Sequence, residues 1–317
     1  MSTHRLIALL LVFVCFVSAV VGLRNQRVLR PPSQENHLEI VRLNGAISSD
    51  PTTLEVRDRL LAIAEEDNVK GVLLAINSPG GSVAASQEIY QAVRRVREKK
   101  PVYVSMLDVA ASGGYYVASA ADRIYANDGT LTGSIGVILS GFNVGKLLER
   151  LGVEPQTLKT GPYKDIFSPY RKLSDSEREL LQGLIQDTYE KFVADVAAGR
   201  KLDPKVVRAV ADGRVFSGRQ AVQNKLVDAI GTESQVEKDL RAAAREKFGL
   251  PESEKLPLRE SPPSFDRLLQ RFLQGRLKAW APPQFPSLDT PILLMPSWSL
   301  PQEFVVYSEL GKSWQAE

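Results

Sequence analysis

The chain has 317 residues, 44% of them apolar, and 40 lysines and arginines against 37 aspartates and glutamates, a net charge of +3. So small an excess, with no basic block, leaves no electrostatic footprint for nucleic acid. The one cysteine, Cys15, lies in an apolar N-terminal run, which excludes intrachain disulfides, cysteine catalysis and cysteine-based zinc sites.

Residues 6–23 carry no charge, near the lower limit for a helix crossing a hydrocarbon core of roughly 30 Å. The run stays apolar through Val20-Val21-Gly22-Leu23 to Arg24, so it reads as an uncleaved anchor after a tail of residues 1–5, with a cleaved signal peptide as the alternative. Residues 24–37, with Pro31-Pro32, read as a linker. Arg24, Arg27 and Arg30 after the span outnumber Arg5 before it, and the positive-inside rule alone puts the body in the cytoplasm.

Residues 38–43 alternate as a strand, and 53–66 have helical periodicity through Leu54, Leu60, Leu61 and Ala64. Residues 69–76 are an apolar run ending in Asn77-Ser78-Pro79-Gly80-Gly81, a buried strand followed by a tight turn. A helix over 82–99 stops before Pro101. A strand follows over 102–107, then a small-residue helix over 113–121, and short strands over 123–126 and 135–139. Such alternation predicts crossover units and a largely parallel sheet, an α/β fold. Residues 174–199 form one long helix, opened by the capping box Ser174-x-x-Glu177.

More helices follow to about Phe248, so the folded domain spans 38–250. Ten of the 19 prolines lie from Pro251 onward, which argues against a continuous packed domain in 251–317. One stretch there, 265–280, is an amphipathic helix with Phe265, Leu268, Leu269, Phe272, Leu273 and Leu277 on one face. It packs on its own protein or a neighbouring subunit, or meets an anionic membrane surface.

The candidate nucleophile is Ser112, in Ala110-Ala111-Ser112-Gly113-Gly114-Tyr115-Tyr116. It sits between a predicted strand and a helix start, where free N–H groups and the helix dipole favour an oxyanion. Gly113 allows close backbone approach, and a second donor can come from the Pro79-Gly80-Gly81 turn on the same sheet edge. The only histidines are His4, before the apolar run, and His37, at the domain's edge, and neither is placed to serve Ser112. Elimination leaves a lysine as base. A lysine of unperturbed pKa is neutral in about 0.04% of molecules at pH 7, and bringing it near neutrality costs about 4 kcal/mol. Lys164, in Thr160-Gly161-Pro162-Tyr163-Lys164-Asp165-Ile166-Phe167, has a suggestive setting. The residues alone leave both sites open: Ser112 also reads as a helix N-cap, and Lys164 as a loop lysine paired with Asp165.

Four ordered motifs narrow the choice. Asn77-Ser78-Pro79-Gly80-Gly81, Ala111-Ser112-Gly113-Gly114-Tyr115-Tyr116, Thr132-Gly133-Ser134-Ile135-Gly136-Val137 and Tyr163-Lys164-Asp165 resemble the signal peptide peptidase A family in order and spacing. Val215-Phe216-Ser217-Gly218-Arg219-Gln220-Ala221 and Leu226-Val227-Asp228-Ala229-Ile230-Gly231 also resemble it, so the likeness covers about 38–249. It implies a Clp-protease/crotonase-like fold behind one transmembrane helix, and a Ser-Lys peptidase of the short, single-copy form.

By that resemblance Ser112 is the nucleophile, Lys164 the general base and Ser134 the residue that orients the lysine. Gly113 and either Gly80 or Gly81 form the oxyanion hole. No cofactor or metal is implied, and the partners are peptide substrates, signal-peptide remnants among them. The chain is expected to form a homo-oligomeric ring that brings Ser112 and Lys164 together between neighbours. It is expected in a bacterial-type cytoplasmic membrane with its body outside the cytoplasm, against the arginine count. The alternatives are a regulatory membrane protease cutting intact proteins, a crotonase-like acyl-coenzyme A enzyme, and an inert membrane scaffold.

Overall fold

A largely parallel sheet runs through the molecule. The computed structural model describes residues 35–260 and the pair 293–294. The tail, the anchor, the linker before Glu35 and the amphipathic stretch 265–280 lie outside these residues. Among the described residues no helix is long and apolar enough to cross a membrane.

The strands are β1 (His37–Asn44), β2 (Val69–Ser78), β3 (Gly81–Ser82), β4 (Val102–Ala111), β5 (Arg123–Ala126), β6 (Leu131–Gly133), β7 (Val215–Ser217), β8 (Ala229–Ile230), β9 (Leu258–Glu260) and β10 (Leu293–Leu294). The helices are α1 (Pro51–Glu65), α2 (Val83–Lys99), α3 (Gly113–Ala118), α4 (Gly145–Arg150), α5 (Asp175–Arg200), α6 (Pro204–Arg208), α7 (Gly218–Gln223) and α8 (Glu233–Phe248). The main sheet has the order β7-β6-β4-β2-β1-β9, with β5 and β8 branching from β4. All its pairings are parallel except β6 with β7.

Alternation along each strand divides the core. Val72, Leu74 and Ile76 of β2 face a large cluster with Leu60, Ile63, Ile89 and Val93 of α1 and α2. Leu73 and Ala75 face the other side, where α8 buries Val236, Leu240 and Ala244 against Leu38, Ile40 and Tyr103. Each large side chain so buried contributes about 1.5–3 kcal/mol. Leu256 joins this second cluster and β9 extends the sheet, so ordered packing continues to Glu260.

Two elements differ from the sequence expectation. The strand expected at 135–139 lies earlier, at Leu131–Gly133, because Gly133 (φ 78°) and Ser134 (φ 50°) turn left-handed in succession and end it. The small-residue helix after Ser112 ends at Ala118 rather than 121. Asp122 then accepts the Val102 N–H at 2.9 Å and leads into β5.

Candidate active site

Ser112 is the junction of β4 and α3 and is 2% exposed. Its backbone has φ 53° and ψ −117°, a conformation L-residues avoid at a cost of about 1–3 kcal/mol. The surroundings enforce it. Its N–H donates to the Gly133 carbonyl at 2.8 Å, and its carbonyl accepts the Tyr116 N–H at 2.8 Å. Every residue of α3 is buried. The Tyr115 hydroxyl donates to the Leu226 carbonyl at 2.9 Å, and the Tyr116 hydroxyl to the Asp195 carboxylate on α5. Burial first, and for Tyr116 the Asp195 carboxylate next, push both phenols well above their ordinary range, so they stay neutral donors. A serine on a braced, strained turn is how a hydroxyl is held out for attack.

The Pro79-Gly80-Gly81 turn packs directly on this junction. A side-chain carbon on Gly113 would stand 2.5 Å from Ser86 Oγ, 3.2 Å from Gly80 Cα and 3.2 Å from the Gly81 nitrogen. One on Gly81 would stand 1.9 Å from the Ile47 carbonyl oxygen, so only glycine fits there. The Gly80 N–H donates to Ser78 Oγ at 3.1 Å. That bond commits Gly80, and Gly81 is the glycine of the turn whose N–H can serve a ligand beside Gly113. Sequence reading did not single out Ser78, although a hydroxyl two residues before a glycine carries the signal of a local side-chain turn.

Ser134 follows β6, and its N–H donates to the Arg214 carbonyl at 2.8 Å. Ser112 and Ser134 line one cavity of about 730 Å³. Its walls come from Val137 and Ile138 after β6, Ile185 and Tyr189 of α5, and residues 211–215. The strand-and-turn motifs gave no hint that α5 supplies a wall. Among the described residues neither the Ser112 nor the Ser134 hydroxyl has a hydrogen-bond partner.

Lys164 does not line this cavity. It lies exposed in a run of turns between α4 and α5, and among the described residues its amine has no partner. Asp165 is engaged elsewhere, with Lys159 at 2.6 Å and Arg171 at 2.8 Å. Arg171 and Lys159 together hold the Asp165 carboxyl well below the usual carboxylate range. Arg171 also pairs with Glu177, held down to about 2 by that guanidinium and by the Ser174 N–H of the capping box. These bonds fix the Lys164 segment to the start of α5. In the stretch between β6 and α5 that carries Lys164, Phe142, Leu151, Leu158 and Phe167 are exposed apolar side chains.

His37 is buried at the start of β1, beside Val69 of β2. Ser78, nine residues further along β2, pairs with Ala110 next to the Ser112 turn. At about 3.3 Å per residue the separation is ~30 Å, so His37 cannot act on Ser112.

A parallel α/β sheet of this kind, with a strained serine at a strand end beside a Gly-Gly turn, defines a serine protease of the Clp-like class. Residues 94–247 match peptidase family S49, and residues 26–126 match the Clp protease family. The chain is 47% identical to a candidate protease of Synechocystis sp., over 61% of this chain and 69% of that one. It is 35% identical to the chloroplastic serine protease SPPA of Arabidopsis thaliana, over 71% of this chain and 34% of that one. It is 38% identical to protease 4 of Salmonella typhi, over 59% and 30% respectively. It thus spans about a third of the length of the last two. The chain belongs to peptidase family S49, the signal peptide peptidase A family.

Proposed function

We propose that this serine protease is a membrane-anchored endopeptidase that degrades short apolar peptides, cleaved signal peptides among them, through a Ser112–Lys164 dyad. The observation that carries the reading is the Ser112 turn: strained, braced on all sides, and set against Gly81 and Gly113 in a cavity shared with Ser134. Val137, Ile138, Ile185 and Val215 give that cavity apolar wall for a peptide's side chains, beside the polar Gln186, Asp212 and Arg214. Residues 6–23 are the anchor, with the body outside the cytoplasm, and 37–260, β9 included, form the peptidase domain.

In this scheme Ser112 Oγ attacks the scissile carbonyl carbon and its proton passes to the Lys164 amine. The N–H groups of Gly113 and Gly81 hold the oxyanion; one such donor is worth on the order of 10²–10³ in kcat. Collapse breaks the C–N bond, Lys164 returns the proton to the leaving amine, and an acyl ester remains on Ser112. Water, deprotonated by Lys164, then releases the acid and restores the serine. The Ser134 hydroxyl orients the lysine amine.

The lysine that serves a given Ser112 comes from a neighbouring copy in a ring. Its exposure, and the exposed apolar side chains Phe142, Leu158 and Phe167 in the same stretch of chain, support this arrangement. The test compares wild type, Ser112→Ala and Lys164→Ala on a fluorogenic apolar peptide, then mixes the two variants. Each single variant is expected to lose activity by on the order of 10⁴-fold or more, and mixed assemblies to recover part of it. Activity that survives Lys164→Ala removes the dyad; verified mixed rings without recovery place both residues in one subunit.

A further inference from the structure

The residue after Lys164 is an aspartate, and an acid beside a base is a hazard. An opposite charge within reach favours the protonated amine, and a protonated amine takes no proton from a serine. The fold engages this carboxylate elsewhere. Asp165 Oδ1 accepts from Lys159 Nζ at 2.6 Å and from Arg171 Nη2 at 2.8 Å, and Oδ2 accepts from Arg171 Nε at 3.0 Å. Three of its roughly four lone-pair directions are thus filled. The Asp165 side chain is only 13% exposed, although the residue before it lies open to solvent.

Arg171 makes most of these bonds. Its Nη2 also donates to the Asp165 carbonyl at 3.1 Å, in the main chain just past Lys164, and its Nη1 to the Lys172 carbonyl at 3.1 Å. Its other bonds go to Glu177, at 2.8 and 2.5 Å. The Glu177 side chain is 3% exposed and is anchored by the Ser174 N–H at 2.8 Å. A planar guanidinium can face two carboxylates at once, which an ammonium cannot. On the other flank of Lys164, Lys159 Nζ donates to the Pro162 carbonyl at 3.2 Å. The main chain is therefore held on both sides of Lys164, while its amine has no partner among the described residues. Lys159 and Arg171 set against Asp165 and Glu177 balance as four charges, and Lys164 stands outside the set.

We propose that Arg171 is a positioning residue for the base: it holds the Asp165 carboxylate away from Lys164 and so leaves the lysine amine free to take the Ser112 proton. The proposal rests on Lys164 being the base. Arg171 touches neither serine nor peptide and acts through Asp165, which without it can turn to the amine of the preceding residue. Removing guanidinium and carboxylate together should then do less harm than removing the guanidinium alone. Two ties that merely hold the segment in place would give the reverse.

The test measures kcat and KM of the full-length wild type, Lys164→Ala, Arg171→Met and Arg171→Met/Asp165→Asn on a fluorogenic apolar peptide, with the assembly and unfolding midpoint of each protein recorded. Arg171→Met is expected to lower kcat by on the order of 10–100-fold and to leave KM within about twofold, because the cavity that takes the peptide is untouched. The double variant is expected to regain about tenfold in kcat, since no carboxylate remains beside the lysine. If Arg171→Met does not fold, Arg171→Lys carries the same comparison: it keeps a cation on buried Glu177 and loses the fork that also reaches Asp165. A double variant no faster than the single one makes Arg171 a structural tie and overturns the inference. So does an Arg171→Met enzyme as fast as wild type beside an inactive Lys164→Ala, and both results spare Lys164 as the base. A Lys164→Ala enzyme as active as wild type removes the base and the role of Arg171 with it.

Discussion

Ser112 and Lys164 stand in opposite surroundings. The serine lies between a ten-residue strand and a wholly buried helix, its backbone bonded on both sides. The lysine lies exposed on a segment without regular structure, tied to α5 through Asp165, Arg171 and Glu177. One half of the proposed chemistry is thus built into the core and stores strain there. The other half is presented to whatever docks on the surface. Substitutions in the two regions should therefore differ in how they couple activity to stability.

The largest expected effect is the loss of hydrolysis in both Ser112→Gly and Lys164→Met, on the order of 10⁴-fold or more. The comparison sharpens in their unfolding curves. Ser112→Gly relieves the positive φ and is expected to stabilise the protein by about 1 kcal/mol, whereas Lys164→Met leaves the midpoint where it was. A Ser112→Gly protein no more stable than wild type would show that the turn stores no strain.

Next comes Gly81→Ala. Its new carbon must displace the Ile47 carbonyl, with an expected loss of about 1–3 kcal/mol in urea denaturation, and activity should fall with it. Tyr116→Phe removes a donor from the buried Asp195 carboxylate and is expected to cost about 1–2 kcal/mol by the same measurement.

The smallest effect belongs to the lysine segment. Asp165 and Glu177 are held below their ordinary values, so their bonds favour the docked segment above about pH 4. That contribution is lost as pH falls toward about 2, where Glu177 protonates. Hydrogen exchange over residues 159–177 should rise between pH 5 and 2 ahead of exchange in β2 and β4. Simultaneous loosening of both regions would erase the contrast between them.

Much of the fold is legible in the chain because periodicity and caps report local structure. The central strands, α1, α2 and the long α5 with its Ser174–Glu177 capping box lie within a few residues of their sequence expectations. The failures have a common cause in contacts distant along the chain. Nothing local shows that Gly133 and Ser134 both turn left-handed, since Ser134 is held there by the carbonyl of Arg214. Nor does the Pro79-Gly80-Gly81 run show which glycine is committed, which depends on where Ser78 Oγ points. The proline count past Pro251 hides Leu256, Leu258 and the return of Leu293–Leu294 to β3, because short pairings on an existing sheet need no periodicity of their own.

The two serines of the cleft are spaced by main chain alone: the amide of Ser112 hangs on the carbonyl just before Ser134, and the amide of Ser134 on Arg214. The side chains that shape the cavity, Val137, Ile138, Ile185, Tyr189 and Val215, are not part of that ladder. On the proposed reading, drift at those five positions remodels what the cavity holds while the main-chain spacing of Ser112 and Ser134 stays in place.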